Sequence, residues 1–185
     1  MVRRRLAPHP DYSKIPQMSA TEMPSPPAER TLTLAKSEYA AGAERLIAMV
    51  WRELQIFDPD LSEFRLEQPS RIEALRQFLA RSPSNRLQIA LHDPEYVKRH
   101  CPRLMSLLGV YSASMRIHRT QGEAGRLQDC FMLADRQHVV RRPVSAQGRG
   151  VIIISNPQEG LAMHERFSDI WEMSELGVSA TTSGL

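Results

Sequence analysis

The chain has 185 residues, 42% of them apolar and 24% charged, with a formal net charge of +3. That suits one globular domain plus a tail, with enough Leu, Ile and Val for one core. Cys101 and Cys130 lack C-x-x-C spacing, which argues against a disulfide framework or a Cys-based zinc site and for buried thiols in a reducing compartment. No apolar run approaches the roughly 20 residues that cross a bilayer, and the basic start at Arg3, Arg4 and Arg5 runs into prolines rather than an apolar stretch. The expectation is a cytoplasmic protein with no membrane span.

Residues 1–30 hold Pro8, Pro10, Pro16, Pro24, Pro26 and Pro27 and few large apolar residues. Such a segment cannot bury enough surface to offset its ordering entropy and is expected to be a disordered tail. The ordered domain is expected over 31–176. Within it Tyr39, Ala43, Leu46, Ile47 and Val50 recur at helical spacing, and Glu53–Phe57 reads as a short strand ended by the turn Asp58-Pro59-Asp60. Pro69 and Ser70 start a second helix with the stripe Ile72, Leu75, Phe78 and Leu79, stopped by Ser82-Pro83-Ser84-Asn85.

Leu87–Leu91 reads as a buried strand. His92-Asp93-Pro94 turns into a third helix, with Tyr96, Val97, Leu104, Leu107 and Leu108 inward, which Pro102 should kink or divide. Met115–His118, Phe131–Ala134, His138–Arg141 and Val151–Ile154 are strand-like, and a last helix covers Pro157 to Met173. Residues 177–185, small and polar, are expected to fray. Strands alternating with helices, then a group of strands and a closing helix, predict an α/β layered mixed sheet with flanking helices.

Charge is distributed unevenly. Arg116, Arg119, Arg126, Arg136, Arg141, Arg142 and Arg149 face only Glu123, Asp129 and Asp135, whereas the last helix is mostly acidic. This reads as a solvated basic edge or as an anion-binding face. Ligands of open α/β sheets bind beyond the carboxyl ends of strands, which makes His92, Asp93, His118 and Arg119 candidates, with Asp135 and Arg141 in the same polar cleft and Arg116 and Arg142 beside them. His164-Glu165 lacks the second histidine of a zinc helix, Gly148-Arg149-Gly150 reads as a hairpin turn, and Phe167 with Trp171 reads as core. No metal site and no cofactor is expected.

Residues 52–59, Leu87 to Asp93, Met115 to Arg119, Phe131 to Asp135 and 167–171 fall in an order that resembles one half-unit of the phospholipase D superfamily. The likeness extends to an uncharacterised bacterial domain sometimes attached to N-acetyltransferases, and it covers roughly Leu34 to Ser174. The resemblance implies a phospholipase D-like half, a motif His-x-Lys-x-x-x-x-Asp, and a small pair such as Gly-Ser after it. If Asp135 is the motif aspartate, Gln128 stands at the histidine, Cys130 at the lysine, and Arg142-Pro143 at the small pair. The lysines are Lys14, Lys36 and Lys98, so His-x-Lys occurs nowhere. An amide is no useful nucleophile, and a thiol carries no positive charge toward phosphate oxygens.

The leading expectation is therefore a non-catalytic, degenerate phospholipase D-like module for binding or interaction, with an anionic phosphate-containing ligand or nucleic acid as partner. Because the family's enzymes build one site from two half-units, the resemblance also implies a homodimer. An accessory domain partnering an N-acetyltransferase is the alternative. A further one is an enzyme with His92 or His118 as acid/base and Asp93 or Asp135 orienting it.

Overall fold

The computed structural model describes residues 26–179. These residues run β1 (Glu29–Thr33), α1 (Lys36–Met49), β2 (Glu53–Asp58), α2 (Pro69–Arg81), β3 (Arg86–Leu91), α3 (Glu95–His100) and α4 (Pro102–Val110). Then come β4 (Met115–Thr120), a 3₁₀ turn at Ala124–Arg126, β5 (Cys130–Ala134), β6 (His138–Arg142), β7 (Gly150–Ile154), α5 (Pro157–Glu172) and β8 (Ser174–Val178). All strands join one mixed sheet in the order β1-β7-β6-β5-β2-β3-β4-β8. β2, β3 and β4 are parallel, and the other pairings are antiparallel. This is the α/β layered architecture that the alternation predicts.

Local chemistry sets the helix ends. The Glu38 carboxylate reaches back to accept from Leu34 N–H at 2.7 Å and Ala35 N–H at 3.1 Å, satisfying donors that a helix start leaves free. Pro69, Pro102 and Pro157 each stand at a first helical position, where a missing N–H costs nothing. Pro102 divides the expected third helix into α3 and α4. Asn156 caps α5 by accepting from Glu159 N–H at 3.1 Å.

Strand side chains alternate between two cores. Leu54, Ile56, Leu87, Ile89, Met115, Ile117, Cys130 and Met132 face α1, α2 and α4. Phe57, Ala90, Phe131, Leu133, Val139 and Ile153 face α5 through Met163, Phe167 and Ile170. A turn with Asp135 and Arg136 at φ 52° and 55° joins β5 to β6, closed by Gln137 N–H to Ala134 O at 3.2 Å. Both central residues are left-handed, as a type I′ hairpin requires. The Asp135 carboxylate then accepts from Trp51, Arg52 and Glu53 N–H at 2.7, 2.7 and 3.0 Å.

Two boundaries differ from the sequence reading. Glu29 and Arg30, placed in the tail, begin β1, opposite Ile154 and Ile153 of β7. Gly177 and Val178, placed in the frayed end, close β8 against β4. Both are sheet-edge strands that bury little, β1 only Thr33 and β8 only Val178, so backbone pairing rather than an apolar pattern defines them. The remainder of both expected tails lies outside the described residues.

Candidate anion-binding site

Because β5 runs antiparallel to β2, the expected cleft is split between the two ends of the sheet. Asp58, His92 and Thr120 lie at the carboxyl end of the parallel strands, and Cys130 and Arg142 join them there through β5 and β6. Asp135 lies at the other end, next to Glu53. It is a backbone clamp, and it shares no cleft with His92 or Arg141.

The other candidates also separate. Asp93 Oδ1 accepts from Glu95 N–H at 3.0 Å and starts α3. His118 stacks on Trp171 at 3.8 Å between ring centroids, and burial, with Arg116 nearby, holds its pKa below the usual imidazole value. Arg116 and Arg119 are exposed on β4, on opposite faces of the sheet. Neither His92 nor His118 meets Asp93 or Asp135. His92 serves the backbone instead: its Nε2 lies 2.9 Å from Leu127 O and its Nδ1 2.8 Å from Thr120 Oγ1. A carbonyl only accepts, so Nε2 carries the proton, and a neutral ring accepts from the Thr120 hydroxyl. His92 thereby ties the segment before Gln128 to the ends of β3 and β4.

Arg142 was expected near the surface beside Arg141. It is buried on the opposite face, with 1% of its side chain exposed. Its guanidinium meets Glu63 at 2.6 Å, donates to Cys130 Sγ at 3.4 Å and lies 4.4 Å from the Tyr39 ring centroid. Lys36 binds the same Glu63 carboxylate. Tyr39 O–H donates to Cys130 Sγ at 3.5 Å. Burial, with Asp58 nearby, pushes the Cys130 thiol up to about 11, so it stays protonated at neutral pH. The volume that a small residue would leave at position 142 is filled by an arginine side chain.

The open concave site lies on the other face, under α5. It is a cleft of about 600 Å³ whose floor and rim are Leu127, Gln128, Asp129, Arg141 and Pro143, walled by Arg126, Ala162, Met163 and Arg166. Arg166 grips Asp129 with two hydrogen bonds of 2.9 and 2.7 Å, and Arg126 pairs with Glu123 at 2.8 Å on the surface. Arg141 differs from both. One amino group reaches the Met163 sulfur at 3.9 Å, and its buried Nε has no hydrogen-bond partner among the described residues. Arg141 is the one predicted site residue that lines the cleft. Asp129 and Arg166, 37 residues apart, were not among the candidates; the spacing of Ala162, Met163 and Arg166 on one face of α5 was the available signal.

Among the described residues, no three His, Cys, Asp or Glu side chains gather as a metal site, and no helix is long and apolar enough to cross a membrane. Residues 35–179 match the model of a family described as a domain of unknown function, DUF7931. The chain belongs to that family. A comparison with curated proteins finds no match. Solved structures similar to this DUF7931 domain include TrmBL2, an archaeal chromatin protein that shows a novel mode of DNA binding (TM-score 0.59, 11% identity, 80% of this chain and 55% of that one). They also include Nuc, a phospholipase D family member from Salmonella typhimurium (TM-score 0.53, 12% identity, 80% and 97%) and NucT from Helicobacter pylori (TM-score 0.57, 11% identity, 80% and 98%). The DUF7931 chain thus matches about half the length of TrmBL2 and nearly all of the two others, and its fold is phospholipase D-like.

Proposed function

We propose that the protein is a non-catalytic phospholipase D-like binding module that takes an anionic, phosphate-containing ligand in the cleft beneath α5. The observation that carries this is Arg141, a half-buried guanidinium with an unpartnered Nε in the cleft wall. A buried donor without an acceptor costs about 1–3 kcal/mol, and a phosphate that drew the Arg141 side chain outward into the cleft would recover it through a charge-assisted bond. Arg126 and Arg166 are each paired with a carboxylate, which leaves Arg141 as the uncompensated charge, and Leu127, Ala162 and Met163 offer apolar contact to the remainder of a ligand.

Support for a non-catalytic role comes from the sequence and from the surroundings of two positions. Gln128 borders the cleft where the resembled motif has its nucleophile, and Cys130 is fully buried on the other face as a neutral thiol. Both cysteines are free and buried, which supports a reducing compartment.

Thermal unfolding with inorganic phosphate, nucleotides and glycerophosphodiesters at constant ionic strength tests the reading. A ligand that binds only the folded state raises the midpoint with concentration. Arg141→Ala should weaken that response at least tenfold; a response unchanged by Arg141→Ala, or none with any of these anions, would sink the proposal.

A further inference from the structure

The opposite end of the sheet carries a second concentration of positive charge, and none of it reaches the cleft. Arg52 precedes β2, Arg86 opens β3, Arg116 is the second residue of β4, and Arg136 lies in the β5–β6 turn; all four are exposed. Backbone bonds hold these positions side by side. Arg86 N–H donates to Arg52 O, Leu87 N–H to Ser114 O and Asp135 N–H to Glu53 O, each at 2.9 Å. With strands ~4.8 Å apart, β5, β2, β3 and β4 spread their arginines over about 14 Å.

The neighbouring carboxylates neutralise only part of this row. Glu53 is taken by Arg136 at 2.9 Å, and the Asp135 carboxylate by three backbone N–H groups. Arg52 and Arg116 have no carboxylate partner among the described residues, and Arg86 donates only to the carbonyls of Pro83 and Asn85. Beside Arg52, at the start of β2, stands Trp51, 45% exposed, with the Arg81 guanidinium 4.6 Å from its ring centroid.

We propose that this amino-end face docks single-stranded nucleic acid, its arginines following the phosphates and Trp51 serving as a platform for a base. An unpaired strand is more extended than a duplex strand, whose nucleotides rise 3.4 Å each, so a row of about 14 Å faces about two or three phosphates. A line of guanidinium groups beside an exposed aromatic is the combination that holds unpaired strands without reading their sequence. The arginines lie at strand starts that the sheet fixes, so the row is in place before a strand arrives.

Fluorescence anisotropy with a labelled oligothymidylate of about 20 nucleotides, followed as salt rises from about 50 mM, tests this directly. The expected result is salt-sensitive binding that Arg86→Ala/Arg116→Ala weakens at least tenfold, with the logarithmic salt slope smaller by about 1.4 for two lost phosphate contacts. Trp51→Ala should weaken it further. Absence of binding at the lowest salt overturns the proposal, as does a double variant with wild-type affinity and slope. A duplex of equal length bound more tightly than the single strand overturns the assignment to unpaired strands.

Discussion

Arg142, buried on the face of the sheet opposite the cleft, meets the partly exposed Glu63 carboxylate at 2.6 Å. The Arg142 guanidinium would be an uncompensated charge without that carboxylate, and Lys36 on the same Glu63 ties the pair toward α1. Burying a charge is costly unless it is paired and hydrogen-bonded.

Arg142→Ala should be destabilising, by about 2–5 kcal/mol, chiefly because it leaves a void under Tyr39. Arg142→Met keeps most of the volume and leaves Glu63 with Lys36, so it should lose less than half as much. Denaturant titration of both variants measures the difference; equal losses would contradict the packing role assigned to this side chain.

Stability should also fall as pH rises through the mildly acidic range. Asp58 is buried at the end of β2, where its Oδ1 accepts from Leu61 and Asp60 N–H at 2.8 and 3.2 Å and its Oδ2 has no hydrogen-bond partner among the described residues. Burial raises its carboxyl pKa from 3.8 to about 6. A folded-state pKa above the unfolded one means that the folded protein binds the proton more tightly. The stabilisation is thus complete below about pH 4 and is lost as pH rises through about 6, in total about 3 kcal/mol at 1.36 kcal/mol per pKa unit. Asp58→Asn keeps the acceptor for Leu61 and Asp60 and should flatten this part of the stability–pH curve. An unchanged slope in that variant would assign the titration to another group.

The seating of α5 depends on a missing side chain. A Cβ on Gly160 would stand 1.9 Å from the Arg136 carbonyl oxygen, so Gly160→Ala must push the helix start away from the β5–β6 turn. The expected loss is about 3 kcal/mol, at the upper end of overpacking costs. For a domain of this size that is roughly 9 °C in the unfolding midpoint. Circular dichroism melting measures it, and a shift of under about 2 °C would show that the turn yields freely.

Much of the fold was legible because burial writes a period into the chain. The α1 stripe of Tyr39, Ala43, Leu46 and Ile47 is buried as spaced, and so are Leu75, Phe78 and Leu79 of α2. β1 and β8 escaped because edge strands bury little: four of the five β1 residues are exposed. The site was less legible, for a different reason. Spacing says which residues follow a strand but not which way that strand runs. Once β5 runs antiparallel to β2, Asp135 goes to one end and Gln128 to the other. Arg141 and Arg142 are adjacent in sequence, yet strand alternation sends one into the cleft and the other into the core. Asp129 and Arg166 become partners only when α5 folds back over the sheet.

α5 is held at both ends, by Gly160 against Arg136 and by the Met173 carbonyl, which accepts from Gln121 N–H at 2.8 Å. The wall that carries Met163 and Arg166 is therefore anchored to the sheet at both helix ends. A ligand entering beneath it would find the contacts preorganised and would lose little affinity to ordering them. Its arrival would be governed by encounter and its residence by the bonds to the guanidinium groups, so substitutions there should act on the rate of leaving more than on the rate of binding.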